Sequence, residues 1–215
     1  QIEFSILSHE NQVSESYSLE VESNKIKIEA QDKAGLFYAF ITLNQLLEDA
    51  RHQQLTLPLV KIKDSPKIAF RPIHLDVKHH LEKKSYYFDL IDELAQIKIN
   101  GIIIEIEDKL KYKRRPEVAS QDALSIEEWK AISNYALNRN IKISPLVQGM
   151  GHASFVLKHD KNFHLRDDPK SDWAFNPLNP ETYSLQYDLY LDAFEAFPHG
   201  KYLHVGGDEV YTTGR

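Results

Sequence analysis

From Phe70 onward the chain alternates two hydrophobic periods, and that alternation leaves few folds open. Residues 73–77 read as a short strand, after which Tyr87, Leu90, Ile91, Leu94 and Ile97 share one stripe of a helix. Residues 101–106 are apolar enough for a strand buried on both faces. Ser125 and Glu128 then make a capping box that opens a helix with Trp129, Ile132, Ala136 and Leu137 turned inward. Residues 141–147 give a third strand. Asn179-Pro180 starts another helix, whose Tyr183, Tyr187, Tyr190, Phe194 and Phe197 fall on one face and read as core. Tyr202 to Val205 is the fourth strand. Strands alternating with helices imply parallel βαβ units. Four such units are half of an eight-fold barrel, so the expected fold is α/β, the first half of a TIM (β/α)8 barrel. An open parallel sheet is the alternative.

The preceding residues follow a different pattern. Tyr17–Val21 and residues 25–29 alternate polar and apolar around Ser23-Asn24, a hairpin signal. Leu36, Phe37, Phe40, Ile41, Leu43 and Leu47 recur at helical spacing behind a candidate N-cap, Asp32. Residues 57–63 supply one more strand, and Asp64-Ser65-Pro66 punctuates a boundary. The expected division is a small α+β domain over residues 1–65, then a partial barrel over 66–215, truncated after its fourth strand.

Composition narrows the partners. With 42% hydrophobic and 27% charged residues, the 215-residue chain is globular rather than disordered. A net charge of -6 argues against nucleic acid or an anionic membrane surface as partner. No apolar run reaches bilayer length. The absence of cysteine excludes disulfides, thiolate metal sites and a cysteine nucleophile. The start at Gln1 rather than Met fits loss of an upstream segment, with a periplasmic or secreted location as the expectation.

Each strand ends in polar or titratable groups: Asp76 to His80, Glu105 to Asp108, Gln148 to His152, and the pair Asp208-Glu209. One acidic strand end is ordinary, but four in succession fit a shared concave face. In the last of these, Gly206-Gly207 leaves room for backbone bends and for a ligand's close approach. Successive strand residues point to opposite faces, so Asp208 and Glu209 cannot both face one way in a regular strand; one of them is expected to sit past the strand end, and the two to do different work. Histidines near Asp76 and Asp108 lack the spacing of metal ligands, and no metal or other cofactor is expected. The basic run Lys109, Lys111, Lys113, Arg114 and Arg115 reads as a solvated loop.

Phe70-Arg71 with residues 74–77, Gly101 through Glu105 to Glu107-Asp108, residues 145–148 with Gly151-His152 and 155–158, and residues 204–211 resemble glycoside hydrolase family 20, the β-N-acetylhexosaminidases. The Glu-x-Glu-Asp and Asp-Glu-Val-Tyr stretches are most similar to its hexosaminidase D-like branch. Residues 35–39 and 42–47 resemble the small domain that precedes the barrel in many members. The resemblance implies hydrolysis of terminal β-linked N-acetylhexosamine from a glycan or glycoconjugate. It also implies retention, with the substrate's own 2-acetamido oxygen as nucleophile, an exception to the two-carboxylate scheme. By matching motif, Glu209 would be the general acid and base, and Asp208 would orient the acetamido group. His152 and Asp108 would tune Glu209, and Arg71 would bind the ring hydroxyls. For Glu209 to carry a proton near neutral pH, burial or a like charge must raise its pKa. The family's usual Arg-Gly is Arg71-Pro72 here. Its acetamido-binding tyrosine and pocket tryptophans have no match within 1–215, so this chain alone is expected to be nearly inactive.

Three alternatives stand beside this reading. One is a carbohydrate-binding module that keeps the fold without the chemistry. Another is a hydrolase using Glu105, Glu107 or Asp108 as nucleophile. The third is a structural piece completed by another chain.

Overall fold

The structure is a computed structural model that describes residues 1–7 and 13–211. The chain forms two compact units, Gln1–Arg71 and Pro72–Arg215.

In the first unit, β1 (Ile2–Ile6), β2 (Tyr17–Val21), β3 (Ile26–Ala30) and β4 (Val60–Asp64) form a sheet in the order β1-β3-β2-β4. β2 and β3 are the expected hairpin, closed by a 2.8 Å bond from Glu22 N to Lys25 O. β4 starts three residues later than the sequence pattern suggests, because Pro58 has no amide to donate and pairing begins at Val60 opposite Val21. β1, which alternation did not announce, runs parallel to β3. Helix α1 (Lys33–His52) is capped by Asp32, whose carboxylate accepts from Gly35 N at 2.7 Å. It buries Gly35, Tyr38, Ala39 and Leu43 against Leu19 and Ile28. Phe40 and Leu47 lie off that face and are exposed. A Cβ on Gly35 would stand 2.4 Å from Ser16 O, so this close helix-to-strand approach requires glycine.

The second unit carries the parallel sheet β5 (Pro72–Asp76), β6 (Gly101–Glu105) and β7 (Lys142–Leu146), in that order. Asp76, Glu105 and Leu146 are level in register, so the three strands end together. α2 (Lys84–Gln96) links β5 to β6, and α3 (Ile126–Leu137) links β6 to β7. After the short α4 (Ser154–Leu157), α5 (Pro180–Ala196) leads back to the sheet. The capping box at Ser125 and Glu128 is formed, and Asn179 caps α5 through Glu181 N. Trp129 on α3 is fully buried, with its ring 5.3 Å from Tyr87 and 5.6 Å from Phe197. Its indole N–H donates to Lys109 O at 3.0 Å. Among the described residues, no helix is long and apolar enough to cross a membrane.

Four expectations need correction. Residues 202–205 do not form a full strand. His204 alone makes a parallel bridge to Leu146, and the left-handed Gly206 and Gly207 end the extension at once. Ile97 caps α2 from outside its last turn and is exposed, as is Leu137 at the end of α3. The aromatic face of α5 is turned outward: Tyr183, Tyr187 and Phe194 are exposed, and of the five only Phe197, at the C-cap, is fully buried. The buried stripe is Thr182, Leu185, Gln186, Leu189, Asp192, Ala193 and Ala196, whose smaller side chains allow close packing on α3.

The basic run is the fourth correction. Asp192 is completely buried and accepts from Lys113 N at 2.7 Å and Arg114 N at 2.9 Å. The Arg114 guanidinium completes its shell. Arg115 pairs with Asp188 at 2.7 Å, and Lys113 with Glu195 at 3.2 Å. Lys109 is itself buried and pairs with Asp108. The loop is thus tied to α5 rather than solvated.

Asp192→Ala should cost about 2–4 kcal/mol in chemical denaturation, because it empties a fully buried position and removes the acceptor of two backbone amides and a guanidinium. Tyr187→Ser on the outward face should stay within about 0.5 kcal/mol of the parent. A second expectation concerns Glu107, which follows β6 in a left-handed conformation at φ 36°. Burial, and secondarily the Glu105 charge, push its carboxyl from 4.5 up to about 8. The folded chain therefore holds this proton more tightly than the unfolded chain. Its contribution is complete below the ordinary value of 4.5 and is lost as pH rises through about 8. Glu107→Gln should match the parent near pH 4 and exceed it above pH 8, by on the order of 1–3 kcal/mol in denaturant titrations at the two pH values.

Candidate active site

Because the three strands end level, the residues that follow them meet at one edge of the sheet. Glu105, the last residue of β6, is 3% exposed and acts as a hub. Its carboxylate contacts His74 Nε2 at 3.1 Å, Lys78 Nζ at 3.3 Å and Gln148 Nε2 at 2.9 Å. Burial opposes the charge on Lys78, but Asp76 and Glu105 prevail and hold its pKa above the ordinary value. Glu105 is an occupied carboxylate, with its oxygens committed to neighbours.

Beyond β7, Gly149 N donates to Val205 O at 2.8 Å, and Val147 N donates to His204 O at 3.0 Å. These bonds fix where the next segment leaves the sheet. The chain then turns through Gly206 at φ 66° and Gly207 at φ 108°. A Cβ on Gly206 would fall 1.6 Å from Gln148 Oε1, so neither the conformation nor the space admits a side chain. Glu209 is also left-handed, at φ 51°.

Extension ends at Val205, so both acids, and not only one of them, sit past the strand end. Both carboxylates converge on one imidazole. His152 Nε2 lies 3.2 Å from Asp208 Oδ2 and 3.4 Å from Glu209 Oε2. The His152 side chain is 17% exposed, against 64% for Asp208 and 52% for Glu209. A hydrogen bond from its own backbone amide holds Asp208 below the ordinary carboxylate range, with His152 and the Gln148 amide adding to the effect. Asp208 is therefore an anion at neutral pH. The arrangement is a charged carboxylate and a second carboxyl around one imidazole, suited to proton transfer beside a fixed negative charge.

The other two sequence candidates have different surroundings. Asp108 is mostly buried and ion-paired to Lys109 and Lys158, each at 3.1 Å. Arg71 belongs to the first unit, where it reaches Glu15 at 2.6 Å and Ile68 O at 2.8 Å. Among the described residues, no group of three or more His, Asp and Glu side chains is placed to hold a metal ion.

Sequence reasoning missed Gln148 as a polar bridge and passed over Trp173. Trp173 packs its ring 4.5 Å from His152 and donates its indole N–H to Glu209 O at 2.6 Å. A tryptophan in the polar run 166–173, one of only two in the chain, was the available signal.

Comparison with known proteins agrees along the chain. Residues 1–65 match the model for glycosyl hydrolase family 20, domain 2, and residues 68–214 match that for the family's catalytic domain. Hexosaminidase D of Bos taurus is 34% identical over 145 residues, which cover 67% of this chain and 42% of the relative. A beta-N-acetylhexosaminidase of Cellulomonas fimi is 25% identical over 221 residues, 92% of this chain and 44% of the relative. Among solved structures, Flavobacterium johnsoniae chitobiase superposes with a TM-score of 0.79 at 28% identity, covering 93% of this chain and 33% of that one. A mutant Streptomyces plicatus beta-hexosaminidase in complex with product (GlcNAc) gives 0.84 at 23%, covering 99% and 48%. The chain thus spans less than half the length of these relatives, in keeping with a partial barrel behind an N-terminal domain. It belongs to glycosyl hydrolase family 20.

Proposed function

We propose that the protein removes terminal β-linked N-acetylhexosamine from glycans with retention of configuration, using the substrate's 2-acetamido group as nucleophile. The observation that carries this reading is the convergence of Asp208 and Glu209 on His152 Nε2, at 3.2 and 3.4 Å. In the first step the acetamido carbonyl oxygen attacks the anomeric carbon while the glycosidic C–O bond breaks. Glu209 delivers its proton to the departing oxygen. Asp208, held ionised, accepts the acetamido N–H and offsets the positive charge of the oxazolinium-like intermediate. Glu209 then takes a proton from water, whose oxygen attacks the same carbon and restores the acetamido group. His152 spaces the two carboxylates, while Asp108, on the turn after β6, is held by Lys109 and Lys158.

The hydrolase with its own carboxylate nucleophile fits less well. Glu105 is buried with three partners, Asp108 is paired to two lysines, and the carboxyl of Glu107 is driven toward its neutral form. The non-catalytic module fits less well because both acids flank one imidazole.

Within the complete polypeptide, Glu209→Gln should lower kcat on an aryl N-acetyl-β-hexosaminide by roughly two to four orders of magnitude. The analogue lacking the 2-acetamido group should not turn over even in the parent. Turnover of that analogue at a comparable rate would overturn the acetamido mechanism, and an unaffected Glu209→Gln would overturn the assignment of the acid. Residues 1–215 alone should be nearly inactive, since both carboxylates are more than half exposed and their field is screened. A steady-state assay of the isolated chain checks this.

A further inference from the structure

Trp173 lies in the loop between the 3₁₀ turn Asp160–Leu165 and α5, and that loop is stitched to the segment carrying His152. Ala153 N donates to Trp173 O at 2.9 Å, and Phe175 N donates to Met150 O at 3.0 Å. Ser154 Oγ donates to Asp172 Oδ1 at 3.1 Å. The Trp173 side chain is half-buried and makes three contacts. Its ring centroid is 4.5 Å from that of His152, tilted by 53°. It stacks on Tyr211 at 6.2 Å and 22°. Its Nε1–H reaches the backbone carbonyl of Glu209 at 2.6 Å.

The two residues it grips are both left-handed, His152 at φ 50° and Glu209 at φ 51°. A non-glycine residue holds such a conformation only where its surroundings over-determine it. For Glu209 the peptide carbonyl is pinned by the indole N–H, and rotation about its backbone would swing the carboxyl away from His152. For His152 the indole face limits the tilt of the imidazole, and so sets where Nε2 points between the two acids. One side chain thus restrains both the proton carrier and its neighbour.

We propose that Trp173 is a positioning residue for this site, setting the direction of the Glu209 carboxyl through its backbone carbonyl and of His152 through ring contact. The proposal rests on the reading of Glu209 as the acid. A lost positioning contact appears in kcat, because a small misplacement of a reacting group reduces the fraction of bound substrate in reactive geometry.

Trp173→Phe keeps a ring face for His152 and Tyr211 while deleting the N–H. In the complete polypeptide it should lower kcat about 10- to 100-fold, leave KM within about threefold, and shift the pH profile of kcat. Unchanged kcat and pH profile in a folded variant overturns the proposal. A second measurement does not depend on activity or on the variant folding. The chain has two indoles, and that of Trp129 is buried on Lys109 O. In ¹⁵N-labelled protein the Trp173 indole resonance should move with pH and on Glu209→Gln, while that of Trp129 stays fixed. An indole blind to both changes overturns the coupling. If the indole responds but Glu209→Gln keeps full activity, the assignment of the acid fails and the contact stands.

Discussion

The short ladder between the end of β7 and residues 204–205 is the constraint on which the site depends. Two backbone bonds from Val147 and Gly149 hold that segment to the sheet, and the chain must then turn at Gly206. The turn is possible only because residue 206 has no Cβ, since Gln148, itself anchored to Glu105, fills the space one would need. Position and direction of the Asp208-Glu209 pair are therefore inherited from β6 through one buried glutamine. A carboxylate with three partners is a stiff anchor, since displacing it would leave buried donors unpaired.

The sheet edge was legible in the sequence because parallel strands bring their C-terminal ends to one place, and the polar or titratable ends of all four segments could be read directly. That both acids, rather than one, sit past the strand end has a local reason. Alternation is a property of extended backbone, and the same glycines that suggested ligand approach also end the extension. A pair of glycines before two acids is better read as cancelling the period-two rule than as decorating it.

On α5 the difficulty was of another kind. The helix has two candidate inner faces, an aromatic one through Tyr183, Tyr187 and Phe194 and a smaller one through Leu185, Leu189 and Ala193. Hydrophobic size favours the first. Asp192 decides for the second, because a carboxylate that accepts two backbone amides and a guanidinium must lie where the basic loop after β6 can reach it. A charged residue on an inner face is invisible to apolar periodicity, and so was the partnership that made the run from Lys109 to Arg115 structural. That partnership also ties down the loop that follows Asp108.

The exposure of the two acids gives the site a specific dependence on its occupant. At more than half exposure, the attraction between His152 and the carboxylates is damped by water. Lowering the effective dielectric from about 80 to about 20 strengthens the same contacts about fourfold at unchanged distance. Under the proposed reading, a sugar ring laid over Asp208 and Glu209 supplies that change by displacing the water, so substrate binding and activation of the acid pair are one event.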